Sequence, residues 1–231
     1  MESLQHIYVI NPNSLHSVTR EIEHALSPLQ FPGGPVIKCV TLAKGPAGIQ
    51  TQRDVDSVAI PLCEQIIRCT AQSNAQGAIA SAFIIACFSD PGLYSARECT
   101  DKQVFGIAES GILTAMAMGQ KFGVISILQT SIARHFRYFT AMGVTGRFAG
   151  DIAIGLSVDG LSDRDETFKR LSVAGADLRD KHSADVLVLG CAGMTSYRKM
   201  LEEALDIPVI DPTQATVTMA LGQIACRSNN G

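Results

Sequence analysis

The sequence predicts an α/β protein with parallel sheets, made of two similar halves whose functional loops meet at one cleft. Three observations carry that expectation. First, short β-branched runs bounded by turn residues alternate with helix-length segments along all 231 residues, the pattern of strands laid parallel and covered by helices. Second, the two most apolar runs, Ser81-Ala-Phe-Ile-Ile-Ala-Cys87 and Ala184-Asp-Val-Leu-Val-Leu-Gly190-Cys191, both end in a cysteine followed by a helix-start signal. Third, the next strand-like runs centre on Val104 and Val209, 17 and 18 residues beyond those cysteines. A strand–loop–helix unit repeated about a pseudo-two-fold axis would bring both cysteine loops to a common cleft.

Taken in order, the first strand is Ile7 to Ile10, stopped by Asn11-Pro12-Asn13. A helix starting near Ser14 or Ser17 runs until Pro28. Val36 to Leu42 is a second strand, and the Gly45-Pro46-Ala47-Gly48 loop after it reads as a polar lid. One long helix is expected over Val55 to Gln72, leading to the strand that ends at Cys87. Ser89 or Asp90 with Pro91 reads as the cap and first turn of a helix to Thr100. Gln103 to Ile107 is a strand, Glu109 to Met118 a helix, and Lys121 to Leu128 a strand. Thr130 or Ser131 is the expected cap of the following helix. A weak strand is placed at Ala153 to Val158, and a helix from Ser162 or Asp163 to Lys181. After Cys191 come a helix to Leu205, a strand at Ile207 to Ile210 and a last helix from Thr213 to Ala225.

Composition limits the function classes. The chain is 46% hydrophobic and 18% charged, as expected of a folded soluble protein and not of a disordered one. A formal charge of −3 without any Lys/Arg run gives no electrostatic basis for nucleic-acid binding. The longest apolar stretch, Ala78 to Phe88, is too short to span a bilayer, so no membrane partner is expected. Met1-Glu-Ser-Leu-Gln-His6 carries an early acid and lacks the basic start of a secretory signal. Seven cysteines without CxxC spacing (39, 63, 69, 87, 99, 191 and 226) point to free thiols in a reducing cytoplasm. The five histidines show no ligand spacing, and HExxH, GxGxxG, GxSxG and Walker patterns are all missing. No metal, nucleotide or other cofactor is therefore expected.

Chemistry concentrates at Cys87 and Cys191. In open α/β sheets ligands bind beyond the carboxyl ends of the strands, where both thiols fall. A thiolate is favoured near helix N-termini, whose N–H groups could also hold an enolate oxygen as it forms. Asp90 would oppose the thiolate if it pointed inward, and a capping role would keep it away. Two such groups at matched positions suit an acid/base pair, one for each face of a planar carbon acid. The other five cysteines lack this setting and read as core or incidental. Asn11-Pro12-Asn13-Ser14 also opens onto the expected cleft, where an amide could bind a substrate carbonyl, although a plain turn accounts for it equally well. Glu109 and Asp211 follow the corresponding strands and read as helix caps or as site carboxylates.

Tyr8-Val-Ile-Asn-Pro-Asn-Ser14, Ile85-Ala-Cys-Phe-Ser-Asp-Pro-Gly92, Lys121-Phe-Gly-Val-Ile125 and Leu189-Gly-Cys-Ala-Gly-Met194 together resemble the aspartate/glutamate/hydantoin racemase superfamily, most of all its hydantoin and allantoin racemase branch. The resemblance spans nearly the whole chain. It implies two pseudo-symmetric Rossmann-like (flavodoxin-like) domains with parallel sheets and an interdomain active-site cleft. It further implies cofactor-independent racemisation by a cysteine pair, and a homo-oligomer. In that family the strand after each cysteine crosses to the other domain, which gives residues 1–100 plus 206–231 as the first domain and 101–205 as the second. Carried over by position, Cys87 and Cys191 are catalytic. Asn13 and the backbone N–H groups of Phe88, Ser89, Ala192 and Gly193 would bind the substrate carbonyl and ring atoms. Met194 and the segment from Ile127 to Thr130 would line the pocket. Glutamate racemases carry Gly-Cys-Thr-His where this chain reads Gly190-Cys-Ala-Gly193; the missing Thr and His favour a small neutral ring over a free amino acid. A maleate-isomerase-like reaction, an Asp/Glu racemase and a non-catalytic small-ligand module are the alternatives. An arylmalonate-type decarboxylase, needing one cysteine, is disfavoured by the pair.

Overall fold

Near-continuous runs of Ile, Val, Leu and Phe can be satisfied only in strands buried on both faces, and the chain arranges them in two parallel sheets. A computed structural model describes residues 4–157 and 159–228. They form two units, residues 1–107 with 213–231 and residues 108–212. In the first unit β1 (Gln5–Asn11), β2 (Val36–Thr41), β3 (Ile79–Ile85) and β4 (Gln103–Gly106) form a parallel sheet of order β2-β1-β3-β4. In the second, β5 (Phe122–Ser126), β6 (Phe148–Ala153), β7 (Val186–Leu189) and β8 (Val209–Ile210) repeat that order as β6-β5-β7-β8. These are two Rossmann-like domains with the same strand topology.

The first unit carries α1 (His16–Leu26), α2 (Gln52–Ser57), α3 (Ala59–Ala75), α4 (Leu93–Glu98) and, from the far end of the chain, α9 (Pro212–Ser228). The second carries α5 (Ile107–Met118), α6 (Gln129–Ala141), α7 (Arg164–His182) and α8 (Arg198–Leu205). The Gln214 side chain donates to the Ala25 carbonyl at 2.8 Å, tying α9 to α1. Phe83 stacks on Tyr8 within a core that Leu62 and Ile66 of α3 complete. The second core gathers Ile125, Leu187 and Leu189 under Leu171, Leu178 and Leu201.

Several expectations are corrected. The strand after each cysteine does not cross: Val104 and Phe105 pair with Phe83 and Ile84, and Val209 and Ile210 with Leu187 and Val188. Pairing at home satisfies the backbone groups of β3 and β7 that would otherwise be left open. It is the helix after each such strand that belongs to the other unit. The expected helix over residues 55–72 is two helices with a break at Val58, because Pro61 lacks the N–H that would continue the ladder. Asp163 caps α7 by accepting from the Glu166 N–H. The weak strand at Ala153 to Val158 lies five residues earlier, at β6. This edge strand is only half buried and contains Gly150 and Asp151, so its hydrophobic signal is faint. Val158 and the first three residues, on which parts of the sequence reading fell, lie outside the described residues. No described helix is long and apolar enough to cross a membrane.

Candidate active site

A strand order of 2-1-3-4 has its switch point between the first and third strands, where successive connections leave in opposite directions and open a crevice at the carboxyl edge. In the first unit that edge carries the Asn11–Ser14 turn after β1 and the Cys87 loop after β3. In the second it carries Ile127 and Leu128 after β5 and the Cys191 loop after β7. The correspondence is register-deep. The Ala86 N–H donates to the Ile10 carbonyl at 2.9 Å, and the Gly190 N–H donates to the Ile125 carbonyl at 2.8 Å. Cys87 and Cys191 each follow by one residue. The sheets therefore put both thiols at equivalent positions, and both are half-buried.

The loops that hold them differ. After Cys87 the chain makes a tight turn closed by the Asp90 N–H on the Cys87 carbonyl at 2.9 Å. Neither Ser89 nor Asp90 caps the next helix: the N-cap of α4 is Gly92, in the left-handed region, and the helix starts six residues after the thiol. Asp90 is 5% exposed with φ 41°, and its carboxyl packs against Gly106 at the end of β4 so tightly that no Cβ would fit there. The Cys191 loop is closer to the expected form. Cys191 itself is the N-cap of a 3-10 helix, Ala192–Tyr197, which precedes α8, and its sulfur accepts the Gly193 N–H at 3.4 Å. A backbone donor on sulfur favours the thiolate over the thiol.

The Asn11–Ser14 turn presents a defined donor. Asn11 spends its Nδ2 on Asn13 Oδ1, the Leu15 carbonyl and Thr19 Oγ1, and its Oδ1 accepts from the Asn13 N–H. Asn13 Oδ1 also accepts the Leu15 N–H at 2.9 Å. With Oδ1 doubly engaged, the network sets the amide orientation and leaves Nδ2 as the donor end of Asn13. Asn13 is 8% exposed. The Gly45–Gly48 loop, read as a lid, is docked on this turn. Ser14 donates to the Pro46 carbonyl from both N–H and hydroxyl, and Gly45 lies so close to the Pro12 carbonyl that an added Cβ would overlap it.

In the second unit Ala192 and Gly193 are buried beside Cys191. Met194 is 0% exposed and packs with Ile127 into the core under α7 and α8, and Thr130 projects to solvent from the first turn of α6. The N-cap of that helix is Leu128, without a side-chain cap, and not Thr130 or Ser131. Phe88 is buried and Ser89 half-buried next to Cys87. Glu109 lies in the first turn of α5, and Asp211 is buried immediately before Pro212 opens α9. Three of the other cysteines are held as thiols: burial, with Glu23 nearby, pushes Cys39 up to about 12. Burial and a hydrogen bond with Cys99 push Cys63 up to about 11, and burial raises Cys69. Among the described residues no group of three His, Cys, Asp or Glu side chains is gathered to hold a metal ion.

The sequence reading missed a polar cluster at the end of β5. Ser126 donates to Asp151 Oδ1 at 2.6 Å, and His135 Nδ1 lies 2.8 Å from Asp151 Oδ2 and 3.2 Å from Ser126 Oγ. Its three members come from β5, β6 and α6, and only a correct placement of β6 could have brought Asp151 into view.

Comparison with known proteins agrees with this geometry. The Asp/Glu/Hydantoin racemase family model matches residues 7–220. A hydantoin racemase of Paenarthrobacter aurescens is 31% identical over 95% of this chain and 91% of its own length. One from Rhizobium meliloti is 34% identical over 93% and 87%. The solved allantoin racemase of Klebsiella pneumoniae superposes with a TM-score of 0.85 at 30% identity, covering 97% of this chain and 89% of that one. Shared sequence along nearly the full length, the doubled sheet topology and the paired loops place this chain in the Asp/Glu/hydantoin racemase family, and it is an isomerase of the racemase class.

Proposed function

We propose that the protein racemises 5-monosubstituted hydantoins or allantoin without a cofactor, using Cys87 and Cys191 as the two acid/base groups. The observation that supports this reading is the equivalence of the two thiols, each one residue beyond the N–H that bonds the first strand of its sheet. The names of the full-length relatives support the substrate class. The C5 proton of such a ring is acidic because the carbanion is delocalised into the C4 carbonyl. One cysteine, as thiolate, takes that proton and becomes a thiol. The other, as thiol, gives its proton to the opposite face of C5 and becomes a thiolate. The enzyme ends in the complementary protonation state, ready for the other enantiomer. Asn13 Nδ2 donates to the ring carbonyl as negative charge grows there, and the Gly193 N–H steadies Cys191 as thiolate.

A circular-dichroism time course with L- and D-5-methylhydantoin and (S)-allantoin in D2O tests it. Loss of optical signal with deuterium entering at C5 is the expected result, and Cys87→Ser and Cys191→Ser are each expected to abolish it. Unchanged turnover by both variants would refute the two-thiol mechanism. A flat trace with all three rings, but conversion of maleate, would replace the reaction by dicarboxylate isomerisation.

A further inference from the structure

We propose that Ser126, Asp151 and His135 are positioning residues for Cys191, a role that rests on the acid/base function assigned above to that thiol. The Asp151 side chain is 0% exposed and that of His135 4%, and a carboxylate buried so completely needs every donor it can find. It takes two, the Ser126 hydroxyl on Oδ1 and His135 Nδ1 on Oδ2. Both donors point at the carboxylate. His135 Nδ1 also lies 3.2 Å from Ser126 Oγ, but the shorter contacts of both groups run to the carboxylate, unlike a hydrolase, in which the histidine draws off the serine proton. The carboxylate instead clamps the last residue of β5 to β6 and α6.

What the clamp fixes is the backbone on which the Cys191 loop rests. Gly190, immediately before Cys191, donates to the Ile125 carbonyl at 2.8 Å, and a Cβ on it would lie 3.2 Å from Ser126 Cα. Beyond Ser126 the same segment anchors its neighbours. The Ser126 carbonyl accepts the Ile154 N–H, and the Ile127 carbonyl accepts those of Gly155 and Leu156. A movement of Ser126 therefore has one peptide to cross before it reaches Cys191, and it would draw the sulfur away from the Gly193 N–H. The first unit holds the corresponding corner differently, through the Asn11 amide, Thr19 and Thr41. Cys87 follows that separately held corner, not the Ser126 cluster, and serves as the internal comparison.

The test is the rate of iodoacetamide labelling at neutral pH, resolved by peptide mass spectrometry for Cys191 and Cys87 in the full-length protein. Ser126→Ala, Asp151→Asn and Ser126→Thr are compared with wild type. In the first two, labelling of Cys191 is expected to fall by about tenfold as the sulfur loses its backbone donor, with Cys87 unchanged and Ser126→Thr restoring the wild-type rate. On the ring substrates kcat should fall in parallel while KM stays within about threefold. An unaltered ratio of Cys191 to Cys87 labelling in folded Ser126→Ala and Asp151→Asn would overturn the assignment. If either variant fails to fold, His135→Gln provides the same ratio. Because labelling needs no substrate, it decides this role even if the wild-type protein leaves every hydantoin untouched.

Discussion

Gly190→Ala probes the closeness of packing behind Cys191. A Cβ at this position would sit 2.8 Å from the Ile125 carbonyl oxygen, 3.2 Å from Ser126 Cα and 3.2 Å from Val124 Cγ1. Carbon–oxygen contacts settle at about 3.3 Å or beyond, so something must give by about half an ångström. Two of the three obstructing atoms are backbone of β5, which is held on one side by β6 and on the other by β7. The loop must move instead, and it stretches the 2.8 Å bond from Gly190 to Ile125 as it goes. Overpacking costs about 1–3 kcal/mol and a weakened buried hydrogen bond about 1 kcal/mol more, so a loss of about 2–4 kcal/mol is expected. Urea unfolding followed by circular dichroism reads this as a lower midpoint at constant slope. Activity should fall by at least about tenfold, since displacement of a reacting group by a fraction of an ångström is costly. A variant within about 0.5 kcal/mol of wild type and fully active would refute the reasoning.

Two further predictions concern stability alone. Gly222 lies inside α9 with open space where a Cβ would go, so Gly222→Ala should stabilise the protein by about 0.5–1 kcal/mol, read as a higher Tm; a lower Tm would show that the position is crowded. His6 is 1% exposed, with Nδ1 2.8 Å from Ser73 Oγ, and burial, aided by Lys38, holds its pKa below the ordinary value. The unfolded chain therefore binds the proton more readily. The contribution is complete above about pH 6.5 and is lost as pH falls from there through the lower folded value. Denaturant midpoints measured from pH 7.5 to 5 should decline in wild type and decline less in His6→Asn; equal slopes would remove His6 as the cause.

Much of the architecture was legible because the core strands are short, β-branched and bounded by turns. β1, β3, β5 and β7 are buried throughout or nearly so, and each announces itself in a single apolar run. The edge strand β6 is half exposed, holds a glycine and a buried aspartate, and was placed five residues too late. The same weakness hid the Ser126–Asp151–His135 cluster, whose members share no sequence spacing and meet only through sheet pairing. Caps were misread for a related reason. Ser89, Asp90, Thr130 and Ser131 have the right chemistry, but Asp90 is turned inward against Gly106 and α6 begins at Gln129 without any side-chain cap. Met194 and Ile127, which the resemblance makes pocket-lining, are buried among the core residues of the second unit.

The two transfers of the chain between units, after Ile107 and after Pro212, set an order of completion. All four strands of the first sheet are synthesised before any strand of the second, yet the first unit lacks α9 until the C-terminal segment has been made. The second unit has its whole complement of strands and helices once residue 212 has emerged. The half that is begun first is therefore finished last. During synthesis the Ala25 carbonyl of α1 lacks the Gln214 amide until α9 arrives, so loss of the C-terminal helix strikes the N-terminal unit.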